Sequence, residues 1–290
     1  MTKRGLVLSG GGSKGAYQVG CLKALFEAGR KYDVVAGVSV GALNAGHIAM
    51  YPPEEQAEKF GELYRIWTES VKGDKSIYKS WAPWILTYLW SFWKGGIYSM
   101  EPLRDILVEE VDLCALRNSG VELEVGVVSL QSGNYHSVNL SSDPGNNQLA
   151  VDWIWASCIF PVMFPAVEIG GEQWVDGGIR NVIPVMDVLK YEGVTEVDIC
   201  LTAPRDGGVK LEKDKFKSAL DVGLRSASLL SDEVYATDLD AVCDSHNVKL
   251  NFYDPKGEVN EDSFTFDPEE ILKLIELGYK DTKERLAKEQ

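Results

Sequence analysis

The chain has 290 residues, of which 45% are hydrophobic and 25% are charged, and its formal net charge is −15. This length and composition are typical of a soluble globular protein that buries a large core. Because no basic block offsets the acidic balance, nucleic acid and strongly anionic membranes are disfavoured as partners.

The cysteines and the N-terminal residues indicate the compartment. The five cysteines are odd in number and widely spaced without a CxxC pair, which favours free thiols over disulfides or a zinc site. No apolar segment of signal-peptide length follows residues 1–4, and no run of about 18 apolar residues occurs in the chain. We therefore expect a cytoplasmic protein that has no signal peptide, no transmembrane helix and no bound metal.

The first 50 residues predict two successive strand–helix units. A short apolar strand at 6–8 leads through a glycine-rich loop into a helix over about 16–28. A second apolar strand at 34–38 leads into a helix that ends before Pro52-Pro53. This alternation predicts a parallel sheet with right-handed crossovers.

The rest of the chain predicts more helices, two β-hairpins and two more strands. The helices are expected at about 54–71, 103–111 (capped by Ser99), 147–157, 185–191, 215–230, 232–244 and 268–288. The hairpins pair 121–130 with 135–140 and 166–169 with 173–175, and the strands lie at 196–201 and 248–253. Since the chain shows no repeat or low-complexity linker, we expect one α/β domain over residues 1–290, with about 50–115 as an inserted helical flap.

The glycine-rich loop can be compared with three kinds of phosphate or anion site. Its residues are Gly10-Gly11-Gly12-Ser13-Lys14-Gly15, which match the GxGxxG dinucleotide fingerprint, although the acidic Asp33 precedes its strand instead of following it. A Walker A loop is excluded because no Gly-Lys-Ser/Thr follows. As an oxyanion hole, the consecutive glycines let backbone N–H groups converge on one small anion, with the positive charge of Lys14 nearby.

A serine motif follows the second strand. Gly37-Val38-Ser39-Val40-Gly41 fits the GxSxG nucleophile elbow, in which a sharp strand-to-helix turn presents the serine. The glycines suit such a turn because side chains at positions 37 and 41 would collide with the neighbouring strand and helix. The elbow and the glycine loop follow neighbouring strands, so both are expected at one end of the parallel sheet.

A serine nucleophile needs a base, and the histidines are weak candidates. His47 lies eight residues after Ser39 on the same helix, about 12 Å along its axis and out of hydrogen-bonding reach. His136 and His246 occur in strand-like contexts without a loop signature.

Asp176 is the stronger candidate for the base. It follows the second hairpin at a strand end, and Gly177 and Gly178 open space around it. A second Asp-Gly-Gly begins at Asp206, but it lies in a polar loop that lacks the preceding hairpin, and we favour Asp176 over it.

Four blocks in this order resemble the patatin-like phospholipase family and span residues 5 to about 184. They are Gly10 to Gly15, Gly37 to Gly41, Ala156-Ser157 with Pro161-x-x-Phe164-x-Pro165, and Asp176-Gly177-Gly178. The resemblance implies a three-layer α/β/α fold with a mostly parallel sheet and a Ser–Asp dyad without histidine. It assigns Ser39 as nucleophile, Asp176 as base and the N–H groups around Gly11, Gly12 and Ser13 as oxyanion hole. It also implies phospholipid, lysophospholipid or other acyl ester substrates, an acyl-enzyme intermediate and no cofactor.

An aromatic stretch from Trp81 to Trp93 lies outside these blocks and contains four tryptophans. It suits either a flap packed on the core or a lid that contacts lipid peripherally at a membrane, because tryptophan favours the lipid–water boundary.

Two other functions remain open at this point. An acyltransferase or thioesterase acting on a carrier-bound acyl group would share the acyl-serine, although the chain lacks the basic patch that a carrier would need. A lipid-binding protein with an inactive site is the non-enzymatic alternative. The sequence leaves the head group, the acyl length and the oligomeric state open.

Overall fold

A central β-sheet organises the computed structural model, which describes residues 2–81, 93–142, 145–205, 219–243, 248–256 and 262–289. Within these residues the sheet has eight strands, in the order β10-β9-β1-β2-β5-β8-β7, with β6 also paired to β5. The strands are β1 Lys3–Leu8, β2 Val34–Val38, β5 Glu122–Ser129, β6 Tyr135–Asn139, β7 Val167–Ile169, β8 Glu172–Asp176, β9 Val194–Cys200 and β10 Lys249–Tyr253. Short strands β3 Lys79–Ser80 and β4 Tyr98–Ser99 form a separate antiparallel pair.

The five strands β10, β9, β1, β2 and β5 run parallel, whereas β6, β7 and β8 pair antiparallel with their neighbours. The helices are α1 Gly15–Glu27, α2 Val40–Ala49, α3 Gln56–Arg65, α4 Glu101–Glu110, α5 Leu113–Ser119, α6 Asn147–Ser157, α7 Val185–Leu189, α8 Ala219–Cys243 and α9 Pro268–Leu286.

Alternate residues of the central strands pack into two hydrophobic cores, one on each face of the sheet. On β1, Leu6 and Leu8 belong to the core formed with α1, α2 and α9, whereas Val7 belongs to the core formed with α7 and α8. This alternation follows from the two-residue period of a strand. The fold is therefore the expected three-layer α/β/α sandwich with a mostly parallel sheet.

The helix expected at 54–71 is confirmed over 56–70, as α3 followed by a π-helical turn over Ile66–Ser70. Two other expectations for single elements were wrong. The two helices expected on either side of Ser231 are one helix, α8. The cap position of α4 is Met100 instead of Ser99, although the Ser99 hydroxyl accepts a hydrogen bond from the Glu101 N–H at 3.3 Å.

The aromatic stretch lies mostly outside the described residues, which exclude 82–92. At its ends, the Trp81 indole N–H donates to the Gly96 carbonyl at 3.1 Å, and Trp93 is largely exposed. A role of this stretch at a lipid surface stays a prediction, as do the single domain over 1–290 and the flap at 50–115. Among the helices that the structure describes, none combines the length and the apolar composition needed to cross a bilayer.

Candidate active site

The sheet brings the ends of β2 and β8 together. Strand β6 occupies one edge of β5, so β2 and β8 share the opposite edge. Val38 of β2 pairs with Gly126, and Asp176 of β8 pairs with the next residue, Val127. Because the two strands approach this point from opposite directions, the residue that follows β2, Ser39, meets the last residue of β8.

Ser39 occupies a strained turn. Its backbone has φ 57° and ψ −130°, a conformation that residues other than glycine seldom adopt. The flanking glycines permit the close packing around it, since a Cβ on Gly37 would overlap the Gly41 backbone and a Cβ on Gly41 would overlap the Leu8 carbonyl. The turn ends at the N-terminus of α2, where unpaired N–H groups favour negative charge.

Asp176 is a buried carboxylate beside this serine. Only 4% of its surface is exposed, and its Oδ1 accepts a hydrogen bond from the Gly178 N–H at 2.7 Å. Burial raises the pKa of the Asp176 carboxyl to about 7, while hydrogen bonding from the Gly178 N–H and from the Ser39 side chain opposes this rise. The carboxylate therefore gains basicity and lies within the range of a general base at neutral pH.

The end of α6 supports both residues. The Ser157 hydroxyl accepts the Ser39 N–H at 2.9 Å and donates to the Gly126 carbonyl at 2.7 Å. The Asp176 N–H donates to the Ile159 carbonyl at 2.9 Å. Cys158 donates to the Ser39 carbonyl at 3.3 Å, and burial, followed by the charge of Asp176, raises the pKa of its thiol. The thiol is therefore neutral and does not compete with Ser39 as a nucleophile.

The glycine-rich loop lies against the serine turn, since a Cβ on Gly10 would be 3.4 Å from the Ser39 Cβ. Several of its N–H groups are occupied: Gly10 donates to the Val182 carbonyl at 3.2 Å and Ser13 to the Ser263 carbonyl at 2.8 Å. The N–H groups of Lys14 and Gly15 bond within the loop.

Gly11 and Gly12 have the positive φ values 153° and 58°. A Cβ at these positions would overlap the Thr202 side chain and the Ser263 carbonyl, respectively, so the loop requires glycine at both. Within the part of the chain that the structure describes, the N–H groups of Gly11 and Gly12 make no hydrogen bond.

Ser39, Asp176 and the glycine loop all line one cavity of about 1110 Å³. Much of its wall is apolar and comes from α2, α3, α4 and the connector around Phe160. The wall also carries polar and charged groups, among them Lys14, Thr202, Arg225, Asp232 and Lys256.

The family model described as Patatin-like phospholipase matches residues 6–189. The chain belongs to the patatin-like phospholipase family. That family is described as one of phospholipases, which are carboxylic ester hydrolases.

The curated relatives match only a short segment of this patatin-like chain, and the match spans about 4% of their own length. A lysophospholipase nte1 of Aspergillus terreus is 44% identical over 68 residues, which is 22% of this chain and 4% of that protein. The neuropathy target esterase sws of Drosophila melanogaster is 42% identical over 67 residues, which is 23% of this chain and 4% of that protein. Among solved structures, VipD from Legionella pneumophila has a TM-score of 0.49 and 16% identity over 99% of this chain and 67% of its own.

Other residues considered from the sequence of this patatin-like protein lie away from Ser39 and Asp176, or outside the described residues. Asp33 precedes β2, at the end of the sheet opposite the glycine loop, and accepts the Arg4 N–H at 2.8 Å, so it does not complete a dinucleotide site. His136 is exposed on β6 with its ring 5.1 Å from that of Trp174. His47 lines the cavity further along α2, as its sequence distance from Ser39 requires. His246 and Asp206 lie outside the described residues.

Sequence reasoning missed the supporting role of Ser157. Its block was noted only as part of the family resemblance, and no local pattern indicates that its hydroxyl bridges two strands. In the described ranges, no three His, Cys, Asp or Glu side chains gather closely enough to hold a metal ion.

Proposed function

We propose that this chain is a serine lipid acyl hydrolase of the phospholipase A or lysophospholipase type that uses Ser39 and Asp176 as a catalytic dyad. The observation that carries the proposal is a serine on a strained strand-to-helix turn beside a buried carboxylate of raised pKa. The large, mostly apolar cavity next to this pair supports a lipid acyl chain as part of the substrate.

In the acylation step the Ser39 Oγ attacks the ester carbonyl carbon while the Asp176 carboxylate accepts the hydroxyl proton. The protonated carboxyl then gives this proton to the departing alcohol oxygen, and an acyl-serine ester remains. In the second step a water molecule attacks the acyl carbon, Asp176 takes its proton, and Ser39 leaves with that proton as the fatty acid is released.

The oxyanion that forms on the carbonyl oxygen needs preorganised donors. We assign the N–H groups of Gly11 and Gly12 to this role because those of Gly10, Ser13, Lys14 and Gly15 are already bonded within the fold. The occupied N–H groups hold the loop in place, so the two remaining donors cost little to orient during the reaction.

The proposal is tested with a fluorophosphonate probe, which labels an activated serine, and with fatty acid release from a lysophospholipid in detergent micelles. We expect Ser39→Ala to lose both signals and Asp176→Asn to lose at least about 100-fold in turnover. Ser119→Ala is the matched control, because Ser119 is buried and doubly hydrogen-bonded but does not line the cavity, and it should keep both signals.

Three different outcomes would each refute a stated part of the proposal. Fatty acid release by Ser39→Ala would refute the assignment of the nucleophile. A labelled protein that passes its acyl group only to an added alcohol or thiol would be an acyltransferase. A folded wild type that is not labelled in micelles would be a lipid-binding protein with an inactive site.

A further inference from the structure

One face of α2 lines the cavity from the serine turn to the end of the helix. The lining side chains recur at intervals of three or four residues, so they form a single stripe along the helix. They are Val40, Leu43, Asn44, His47 and Met50.

Helix α4 also lines the cavity, and hydrogen bonds fix the residues at its two ends. Just before α4, Ile97 and Tyr98 donate backbone hydrogen bonds to the Val162 and Met163 carbonyls, a few residues after the segment that supports Ser39. Just after α4, the Asp112 N–H donates to the Met50 Sδ at 3.2 Å. The side chains that α4 and its flanking residues contribute are Met100, Leu103, Ile106, Leu107, Glu110 and Val111.

The part of the cavity between α2 and α4 forms a branch, and its two walls come together at Met50. Met50 is only 5% exposed, and its sulfur is fixed by the bond from Asp112. Glu110, which also lines this branch, forms an ion pair with Arg65 at 3.4 Å.

The polar side chains in this branch are neutral or paired. The Asn44 amide donates to the Gly15 carbonyl and to Gln18, and it accepts the Trp67 indole N–H at 2.9 Å. Burial lowers the pKa of His47 to about 4, so its ring carries no charge at neutral pH. With Glu110 paired to Arg65, the branch is a suitable environment for an alkyl chain.

The length of the branch sets the length of the chain it holds. The ten residue steps from Val40 to Met50 span about 15 Å at about 1.5 Å per residue. An extended hydrocarbon chain of this length has roughly 12 carbons, given carbon–carbon bonds of about 1.5 Å at tetrahedral angles.

We propose that the branch between α2 and α4 is an acyl-chain subsite with a closed end, and that Met50 sets the longest chain it accommodates. The subsite holds a saturated acyl chain of roughly 12 carbons with its carbonyl at Ser39. The role of this subsite in hydrolysis rests on the proposed function, whereas the subsite as a place that binds alkyl chains does not.

The test measures binding without turnover. Fatty acid methyl esters with chains of about 6 to 16 carbons displace a fluorescent lipid probe from the Ser39→Ala protein. Affinity should rise roughly fourfold for each added methylene until the branch is full at about 12 carbons, and then level off.

Three substitutions, each made in the Ser39→Ala protein, locate the end of the branch. Met50→Ala should move the levelling point about two carbons longer, because it removes the side chain at the closed end. Leu43→Trp should move it shorter, because Leu43 lies on the lining stripe near Ser39. Met186→Ala is the matched control, since Met186 is 58% exposed and does not line the cavity, and it should leave the levelling point in place.

Hydrolysis of the same chain-length series by the protein with Ser39 intact separates the two proposals. If Met50→Ala shifts the levelling point but no Ser39-dependent hydrolysis occurs, the subsite is supported and the proposed function is refuted. The opposite result is hydrolysis with an affinity that rises through the longest chain, or with a levelling point that Met50→Ala does not move. Either form would refute the subsite and leave the proposed function standing. A Met50→Ala protein that does not fold would be replaced by Met50→Val, for which a smaller shift in the same direction is expected.

Discussion

A general base at Asp176 must be basic enough to accept a proton and must still be ionised at neutral pH, and these two requirements conflict for a carboxylate in water. A carboxylate in water is too weakly basic to take a proton from a serine hydroxyl, and a fully desolvated one would stay protonated at neutral pH. Burial raises the pKa of Asp176, and the hydrogen bonds from Gly178 and Ser39 limit the rise to about 7. The group is therefore more basic than an ordinary aspartate and is still ionised in a large fraction of molecules near neutral pH.

The pH dependence of the wild type follows from this pKa. The base must be ionised to accept a proton, so kcat/KM for a short p-nitrophenyl ester should rise about tenfold per pH unit below pH 7 and level off above it. The ester has no titratable group of its own, and circular dichroism at each pH confirms that the protein stays folded. A midpoint near the ordinary aspartate value of about 4 would refute a buried base at this position.

Among the elements, the end of α6 and the residues just after it hold Ser39 and Asp176 in place, although they are distant from Ser39 along the chain. The Ser157 hydroxyl joins the Ser39 N–H to the Gly126 carbonyl, and Gly126 lies on the edge of β5 where β2 and β8 meet. Because Ser157 does not line the cavity but bonds to the Ser39 backbone, we expect it to act as a positioning residue.

Ser157→Ala should therefore lower both activity and stability. Two buried backbone groups lose their partner, which costs about 1 to 3 kcal/mol of unfolding free energy for each, and the serine turn loses a restraint. We expect kcat for a short ester to fall at least about tenfold with a smaller change in KM.

The matched control is Ser119→Ala, which also removes a buried hydroxyl with two backbone partners, the Leu116 carbonyl and the Val121 N–H. It should lose similar stability in a urea titration and keep its kcat. If both variants kept kcat, Ser157 would be purely structural.

Local patterns predicted most of the strands and the shorter helices, because these elements depend on neighbouring residues. The apolar run at 34–38 is β2, and the hairpin across Gly170-Gly171 is β7 and β8. Helix α5 was missed although a signal was present, since Asp112 caps the N–H groups of Cys114 and Ala115 and Gly120 ends the helix in the left-handed conformation.

The α8 prediction failed because a local signal was given too much weight. Ser231-Asp232 resembles a helix start, but serine and aspartate inside a helix cost only a few tenths of a kcal/mol each, less than interrupting a long helix. Local propensity decides element ends only where tertiary packing is weak.

The residues of the candidate site also fall into those that a local motif predicts and those that only the packed fold brings together. Ser39, Asp176 and the glycine loop were identified because each stands in a short motif, and the structure brings these three motifs together around one cavity. The contact between Ser157 and Ser39 joins residues 118 positions apart, and the walls of the cavity come from helices that no motif marks. Such contacts depend on the packed fold and not on any stretch of sequence.

For the whole molecule, the charge of −15 bears on which lipid surface the protein approaches. Many of the cations that the structure describes are paired with carboxylates, for example Lys256 with Glu284, Lys273 with Glu270 and Lys283 with Glu27. Such pairs leave little positive potential to attract an anionic surface, so the net field repels it.

Binding to anionic vesicles should therefore strengthen with salt, the reverse of ordinary electrostatic adsorption. Raising the ionic strength from about 0.01 M to about 0.15 M shortens the screening length from about 30 Å to about 8 Å and weakens the repulsion. We expect vesicles rich in anionic lipid to bind several-fold more of the Ser39→Ala protein in co-sedimentation at the higher salt. Vesicles of zwitterionic lipid, the control, should bind equally at both because they present no net surface charge. Weaker binding to the anionic vesicles at higher salt would refute repulsion by the whole molecule and would require a locally basic contact surface instead.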